Sequence, residues 1–382
     1  MSNNVCSETI SSGGCLVLAP GVLSAASDLR GTNPVLTGSL SRLLGFADQI
    51  EITGANLPSI ESLVSGVLMP AESAACAGRI TWLTDYSLAS SETTAQVMRA
   101  DPAYQQIDMN NATLGNPLEL ELTLDECAAL LQTLNHHFAD DGIRFECKDP
   151  YRWYCHFESP LQINSTPISA SIGRDVASVR PDGADARRWR SKLAEIEMLL
   201  FEHPINAERQ EGNKLPVNTL WLWGEGDPAA ADNTESISIN SDNFYTQSVS
   251  NYLGAACNVL PDTSATFKAD GAPALIVTDR FTQPVSMQKN QEKNLQWFDE
   301  TICAQLWRCL QNSGWPEVTI WCGDNRLFRV NASVKKQLLR RLFYKPKPLS
   351  AYLPDTGLPE GVQVEATTFA GSRSIHTKHP TY

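Results

Sequence analysis

Short apolar runs that end in turn residues recur along the chain, and they limit its fold more than any other sequence feature. The residues of these runs do not alternate between apolar and polar, which is typical of strands buried on both faces, as in parallel sheets. Helical patterns lie between the runs, so the sequence predicts an α/β fold with a mostly parallel sheet. The runs are residues 15–19, 80–83, 219–223, 274–277 and 318–322.

The sequence also contains signals for where the helices begin and end. Thr123 and Glu126 are spaced as a capping box, which predicts a helix through residues 127–138. Apolar residues at helical spacing over 189–200 predict a second helix, and Pro204 ends it because proline lacks a backbone donor. A further stripe over 295–310 predicts a third helix.

The middle of the chain has a different pattern. Residues 143–147 and 153–157 alternate between apolar and polar and flank a turn, which predicts a β-hairpin. Residues 227–242, rich in Asp, Asn, Ser and Ala, are predicted to form a mobile loop. The predicted division is a discontinuous α/β core of residues 1–99 and 206–349, an inserted α+β segment of residues 100–205, and a poorly ordered C-terminal tail of residues 350–382.

The charge balance excludes some partners. The chain carries 30 Lys and Arg against 43 Asp and Glu, a net charge of −13, which argues against general nucleic-acid binding. Between Arg326 and Lys347, however, eight basic residues occur without an acidic one. This basic segment is either a surface for an anionic protein partner or a face that balances the acidic remainder within the molecule.

Compartment and redox state are also predicted from composition. The polar N-terminus and the shortness of every apolar run predict a cytoplasmic protein without a membrane span. None of the 10 cysteines forms a Cys-x-x-Cys pair, so we expect reduced thiols and no clustered zinc site.

One dense motif runs from His203 to Gly226. Asn206 and Arg209 are three residues apart and would share a helix face. The strand that follows ends in glycines, at the edge where open α/β sheets bind ligands, and an arginine there can clamp a carboxylate or phosphate. The alternative is structural, with the asparagines in turns and Arg209 paired to Glu208 or Glu211. The candidate ligand-binding residues are Asn206, Arg209, Asn218, Gly224 and Gly226.

This motif resembles a known family. The patterns His-Pro-x-Asn-x-x-Arg, Pro-x-Asn and Leu-Trp-Gly-x-Gly are similar to those of archaeal-type cofactor-independent phosphoglycerate mutases, members of the alkaline-phosphatase-like superfamily. Over roughly residues 15–350 the chain resembles RpfE-type bacterial regulatory proteins, which are themselves similar to these mutases. Further residues carry that likeness: Leu18 to Gly21, Ala100 to Pro102, Leu134 and Asn135, Asp149 to Tyr154, Gly173 and Arg174, and Glu197 to Leu200.

The resemblance implies two divalent metals held by Asp and His at strand ends, where they position a phosphoryl group. The sequence departs from that pattern, because Ala19 and Pro20 stand where the first ligand Asp is expected. Asp279 lacks the expected histidine nearby, and Asn325 follows Asp324 where the family has histidine. We therefore expect no metal. A Mn or Zn site would need an altered ligand set such as Asp279, Asp324 and a histidine of the tail.

The sequence thus favours a non-catalytic relative of these mutases, a regulatory or binding protein for a small phosphorylated or carboxylated metabolite. The alternative is an active metal-dependent phosphoglycerate mutase or phosphatase with the altered ligand set. A third hypothesis is a scaffold that acts through the basic segment. No catalytic residue is identified from the sequence.

Overall fold

The computed structural model describes residues 2–28, 38–52, 58–69, 76–89, 96–109, 111–228, 237–262, 272–282, 290–312, 314–332 and 349–352. The helices are α1 Ser2–Ser11, α2 Val22–Asp28, α3 Gly38–Phe46, α4 Ile60–Leu68, α5 Ala77–Asp85, α6 Leu124–His137, α7 Ala186–Phe201, α8 Pro204–Glu211, α9 Phe244–Tyr252, α10 Gln291–Trp297 and α11 Ala304–Gln311. The strands are β1 Cys15–Leu18, β2 Asp48–Glu51, β3 Gln96–Ala103, β4 Gln105–Ile107, β5 Ala112–Leu114, β6 Ile143–Asp149, β7 Arg152–Phe157, β8 Thr219–Trp223, β9 Ser238–Ser241, β10 Cys257–Asn258, β11 Ala274–Val277, β12 Glu317–Trp321 and β13 Arg326–Asn331.

The larger sheet has seven strands in the order β10-β9-β11-β1-β12-β13-β2. The first five of these run parallel, and β13 and β2 extend the sheet antiparallel. Cys15 and Val17 of β1 enter one apolar cluster, and Leu16 and Leu18 enter another. Both faces of the sheet are therefore covered, which explains the unbroken apolar runs and confirms the predicted α/β fold with a mostly parallel sheet.

The smaller sheet is antiparallel, in the order β6-β7-β3-β8. One face packs on α6 and α7 through a third apolar cluster that includes Leu130, Phe145 and Trp189. The strands β6 and β7 form the hairpin that the sequence predicts. A separate two-stranded hairpin of β4 and β5 lies beside this sheet.

Two of the five apolar runs do not form the parallel strands that the sequence predicts. Residues 80–83 belong to α5, whose residues from Ala77 to Leu83 are all buried, and a short run that is buried all round does not distinguish helix from strand. Residues 219–223 do form a strand, β8, but it pairs antiparallel with β3 in the smaller sheet. Leu220 and Trp221 of β8 enter different apolar clusters, so this antiparallel strand is also buried on both faces.

The predicted loop over 227–242 is wrong at its end, because β9 lies inside it and joins the parallel sheet. Residues 229–236 lie outside the described residues, as does most of the predicted tail. The strands β3 and β8 reach beyond both limits of the predicted 100–205 segment. The division into domains stays a prediction, and the strand pairing favours limits near residues 96 and 223.

The predicted helices are confirmed. Thr123 and Glu126 exchange hydrogen bonds as a capping box at the start of α6. The helix α7 ends at Phe201, and Pro204 opens α8 in place of continuing it. The third helix runs from α10 through a π-helical segment, Phe298–Cys303, into α11. Among the described helices, none combines the length and apolar composition needed to cross a bilayer.

Candidate functional site

Asn206 of the sequence motif lies in α8 and is 6 % exposed. Its amide Nδ2 donates to the carbonyl of Leu200 at 2.6 Å and to that of Val217 at 2.8 Å. Its Oδ1 accepts from the N–H of Val217 at 2.9 Å. Asn206 therefore joins the end of α7 and the start of α8 to the segment that leads into β8. These bonds use both amide hydrogens.

Arg209, one turn further along α8, has a side chain that is 1 % exposed. Its Nε donates to the carbonyl of Leu215 at 2.8 Å, and its Nη2 donates to the carbonyl of Leu120. Its Nη1 donates to Glu126 Oε1 at 2.6 Å. Arg209 is thus paired with the carboxylate of the α6 capping box, and not with Glu208 or Glu211.

Glu126 is therefore shared between a helix cap and a buried arginine. Burial alone would raise its pKa, but the hydrogen bonds from Thr123 and from Arg209 outweigh burial and lower the pKa below its ordinary value. The carboxylate is held ionised beside the guanidinium. An anionic ligand of Arg209 would have to displace this partner.

The remaining motif residues lie at the two ends of β8. Asn218 pairs with the backbone of Gln105, accepting from its N–H at 2.7 Å and donating to its carbonyl at 3.1 Å. Gly224 has φ +78°, and a Cβ there would lie 2.6 Å from the backbone nitrogen of Gly78. Gly226 follows, half-buried. The structure brings Asn206 and Arg209 together on α8 but separates Asn218 from Gly224 by the length of β8. The ligand-binding role of the set stays a prediction.

A second polar group lies at the carboxyl edge of the larger sheet, where open α/β sheets bind ligands. Asp242 and Asn243 follow β9, and Thr278, Asp279 and Arg280 follow the neighbouring strand β11. Only Asp279 was a candidate from the sequence. The others were missed because residues 227–242 resembled a loop, although the alternating Ile237 and Ile239 were a usable sign of a strand.

Arg280 is the cation of this carboxyl edge. Its Nε donates to Asp242 Oδ2 at 2.6 Å, and its Nη2 donates to Asp262 Oδ1 at 2.9 Å. Its guanidinium also lies 3.9 Å from the ring centroid of Trp297. Two carboxylates and an aromatic face therefore hold the guanidinium in place.

Asp279 lies beside this ion pair and has a different environment. Burial raises its pKa to about 6; a hydrogen bond from Asn243 opposes that rise, and the negative charge of Asp242 adds to it. Asn243 Nδ2 donates to Asp279 Oδ2 at 3.0 Å. Burial also raises the pKa of Glu61, whose Oε2 accepts from Ser169 at 2.6 Å. Burial thus raises the pKa values of two carboxyl groups near this edge, Asp279 and Glu61.

Residues of the loops between β3 and β8 form hydrogen bonds with residues at the carboxyl edge of the larger sheet. Ser169 contributes the hydrogen bond to Glu61 on α4, and the amide of Asn116 donates to the carbonyl of Thr282 at 3.2 Å. The carboxyl edge of the larger sheet is thereby bridged by hydrogen bonds to residues between β3 and β8. Such a junction is a common place for a ligand to bind.

The metals implied by the resemblance do not fit the described residues as they stand. Asp324 accepts from the N–H of Arg326 at 2.9 Å and from its Nε at 3.0 Å, so its carboxylate is already neutralised. Arg280 pairs with Asp242 through Oδ2, whereas Asp242 Oδ1 is buried without a hydrogen-bond partner among the described residues. In the part of the chain that the structure describes, no three His, Cys, Asp or Glu side chains are grouped to hold a metal. The histidines of the tail lie outside the described residues.

The basic segment is described only at its start. Arg326 forms an ion pair with Asp324, and Arg329 Nη2 lies 3.9 Å from Glu8 Oε2. Lys335 and the basic residues after it lie outside the described residues. The partner surface predicted from this segment therefore stays a prediction.

Comparison with known proteins relates part of the chain to phosphoglycerate mutases, although no family model matches it. It is 28% identical over 107 residues to the 2,3-bisphosphoglycerate-independent phosphoglycerate mutase of Methanosarcina mazei, covering 28% of this chain and 27% of that protein. It is 30% identical over 104 residues to a second such mutase, from Methanothermobacter thermautotrophicus, covering 26% of each. The chain thus matches about a quarter of the length of these relatives.

Solved structures give a fainter likeness. A cofactor-independent phosphoglycerate mutase from Thermoplasma acidophilum aligns with a TM-score of 0.35 at 13% identity, over 84% of this chain and 90% of that one. A protein from Pyrococcus horikoshii aligns with a TM-score of 0.38 at 12% identity, over 83% and 87%. Through the sequence matches, part of the chain is homologous to archaeal cofactor-independent phosphoglycerate mutases.

Proposed function

We propose that this chain is a non-catalytic relative of cofactor-independent phosphoglycerate mutase that acts as a binding or regulatory protein. An alkaline-phosphatase-like origin of the fold, kinship with RpfE-type regulatory proteins and a cytoplasmic location are parts of this proposal. The partial homology to the archaeal mutases supports descent from that group. The chemistry of the carboxyl edge supports the loss of catalysis.

The observation that carries the proposal is the placement of Arg280 between Asp242 and Asp262. A guanidinium stays charged at all physiological pH values and cannot be displaced by deprotonation. A divalent metal at Asp242 would have to compete with a 2.6 Å charge-assisted hydrogen bond from a side chain of the same molecule. The carboxyl edge thus holds a built-in cation on Asp242 Oδ2, where metal-dependent enzymes need free carboxylates. Asp242 Oδ1 has no hydrogen-bond partner among the described residues, and Asp279 is held by Asn243 and not by a cation.

The ligand proposed from the sequence is a small phosphorylated or carboxylated metabolite, bound without a metal cofactor. If Arg209 is its anchor, the metabolite must replace Glu126 at Nη1. The basic segment from Arg326 to Lys347 is the proposed surface for a protein partner. Both assignments come from the sequence, and the geometry of the described residues favours a structural role for Arg209.

Turnover assays test this proposal. The full-length chain, preincubated with manganese or zinc, is assayed for interconversion of 2- and 3-phosphoglycerate and for phosphate release from each. We expect no turnover above a protein-free control, and an archaeal mutase assayed in parallel shows that the conditions are adequate. Metal-dependent turnover that is lost in Asp279→Asn and Asp324→Asn would overturn the proposal in favour of an enzyme with an altered ligand set.

A further inference from the structure

Two cysteines interact through their side chains where α6 packs on β6. Cys127 is in the first turns of α6 and is fully buried, and Cys147 is near the end of β6 and is half-buried. Cys147 packs against the apolar cluster that contains Cys127. The Cys127 thiol donates at 3.9 Å to the carbonyl of Pro150, in the turn that directly follows β6. The two thiols are therefore held at the same end of the hairpin.

A tryptophan completes this group. Trp153 lies directly opposite Cys147 in the register of β6 and β7, at the point where a bulge interrupts the pairing. Its indole Nε1 is buried without a well-formed hydrogen bond among the described residues. The indole N–H lies beside the Cys127 thiol and lowers the pKa of that thiol, against the larger effects that raise it. A polar N–H beside a buried sulfur favours negative charge developing on that sulfur.

The pKa values of the two thiols are shifted in opposite directions. Interaction with the Cys127 thiol lowers the pKa of Cys147, and this outweighs burial and the negative charges of Asp149 and Glu146, which raise it. The pKa of Cys127 is raised, first by the same interaction and then by burial. The more accessible cysteine is thus the better nucleophile, because the thiolate is the reactive form.

We propose that Cys147 and Cys127 form a redox pair that peroxides oxidise to an intramolecular disulfide. In the first step the Cys147 thiolate attacks one oxygen of hydrogen peroxide and forms an S–O bond, the O–O bond breaks, and the other oxygen leaves as hydroxide. Cys147 is thereby oxidised to a sulfenic acid and the peroxide is reduced. In the second step the Cys127 sulfur attacks the Cys147 sulfur, the S–O bond breaks, and water leaves with the Cys127 proton. Dithiol reductants reverse the bond by exchange.

The bond would form beside Glu126, the residue that caps α6 and binds Arg209. The oxidised chain would thereby gain a covalent link from the first turns of α6 to the hairpin of β6 and β7. No other described feature of the protein requires two thiols at this place. The pair therefore adds a modification site that is independent of the proposed binding function.

Peptide mapping of the native full-length chain tests the proposal. The protein is treated with hydrogen peroxide, its remaining thiols are alkylated, and the digest is analysed without reduction. We expect a peptide pair joined through Cys127 and Cys147, the loss of two free thiols per chain, and full recovery with dithiothreitol. Oxidation that stops at a sulfinic acid on Cys147, or that joins either cysteine to another, would overturn it.

Labelling rates, first in the wild-type chain and then in single variants, provide a second test. Iodoacetamide should modify Cys147 several-fold faster than Cys257, which is also half-buried but has a pKa raised by burial. Cys127→Ser should leave a sulfenic acid on Cys147 that dimedone traps, and Cys147→Ser should abolish the fast labelling. Cys257→Ser is the matched control and should change neither. Equal labelling rates for Cys147 and Cys257 in the wild-type chain would contradict the proposal.

Discussion

The α8 motif and the carboxyl edge of the larger sheet are both polar, buried and rich in charge, yet they are built differently. Around α8, Asn206 and Arg209 take nearly all their partners from main-chain carbonyls and one carboxylate, and every bond joins structural segments. At the carboxyl edge, Asp242, Asp279 and Arg280 come from the ends of two neighbouring strands. One of these carboxyl groups has a pKa shifted to about 6.

The difference shows that a dense sequence motif and a reactive site need not coincide. A motif whose donors are matched to main-chain acceptors fixes the path of the chain, whereas shifted pKa values are a mark of places with unusual chemistry. The observed contacts of the motif are structural, its ligand-binding role stays a prediction, and the carboxyl edge is a second candidate site. The predictions below test that contrast, beginning with the largest expected effect.

Arg209→Ala should destabilise the protein by about 3–5 kcal/mol, because it leaves Glu126 and two main-chain carbonyls without their buried partner. Urea unfolding of the variant and the wild type measures the difference. Arg187→Ala removes an exposed arginine of α7 and should change the free energy of unfolding by less than about 0.5 kcal/mol. If Arg209→Ala costs no more than this control, Arg209 is not structural and the contrast fails.

Asp279→Asn should stabilise the protein at neutral pH by on the order of 2 kcal/mol, because a pKa raised to about 6 means that folding disfavours the ionised form. The folded state holds this proton more tightly than the unfolded state does. The cost of ionised Asp279 is thus fully present above pH 6 and disappears as pH falls towards 4.

Urea unfolding across pH 4 to 8 measures this effect. The stability difference between Asp279→Asn and the wild type should grow between pH 4 and 6 and then stay constant. Glu292→Gln, an exposed carboxylate on α10, is the control and should show no such growth. A difference that does not change with pH would show that Asp279 titrates normally and that the edge has no unusual acid.

Arg280→Ala should destabilise the protein by about 1–2 kcal/mol, less than Arg209→Ala, because the Arg280 side chain is 22% exposed against 1% for Arg209 and its second partner, Asp262, is 90% exposed. Arg280→Lys keeps the charge but cannot reach both carboxylates with the same geometry, so it should recover only part of the loss. Lys293→Ala, an exposed cation on α10, is the control. Full recovery by lysine would mean that charge alone matters at this place.

Much of the fold could be predicted from the sequence, because burial leaves a direct pattern. The capping box of Thr123 and the stop before Pro204 are local rules that tertiary contacts did not override. Residues 219–223 form a strand as predicted, but the strand lies in the antiparallel sheet and not in the parallel one. An apolar run reports how many faces are buried and not the direction of the neighbouring strand.

The candidate site was less accessible to sequence reasoning. Asp279 was identified because it follows a clear apolar strand. Asp242 was missed because β9 has only four residues and stands in a polar stretch. The partner of Arg209 could not be predicted either, because Glu126 is 83 residues away and is brought near only by the packing of α6 on α8.

The central proposal is that arginines already occupy Asp242 and Asp324, so that these two carboxylates hold no metal. The most direct test is the metal content of the full-length wild-type chain, measured by mass spectrometry after incubation with manganese and zinc and thorough desalting. The account predicts far less than one metal per chain, because Arg280 already pairs with Asp242 Oδ2 and Arg326 with Asp324. Close to two metals per chain would contradict it and restore a metal-dependent enzyme.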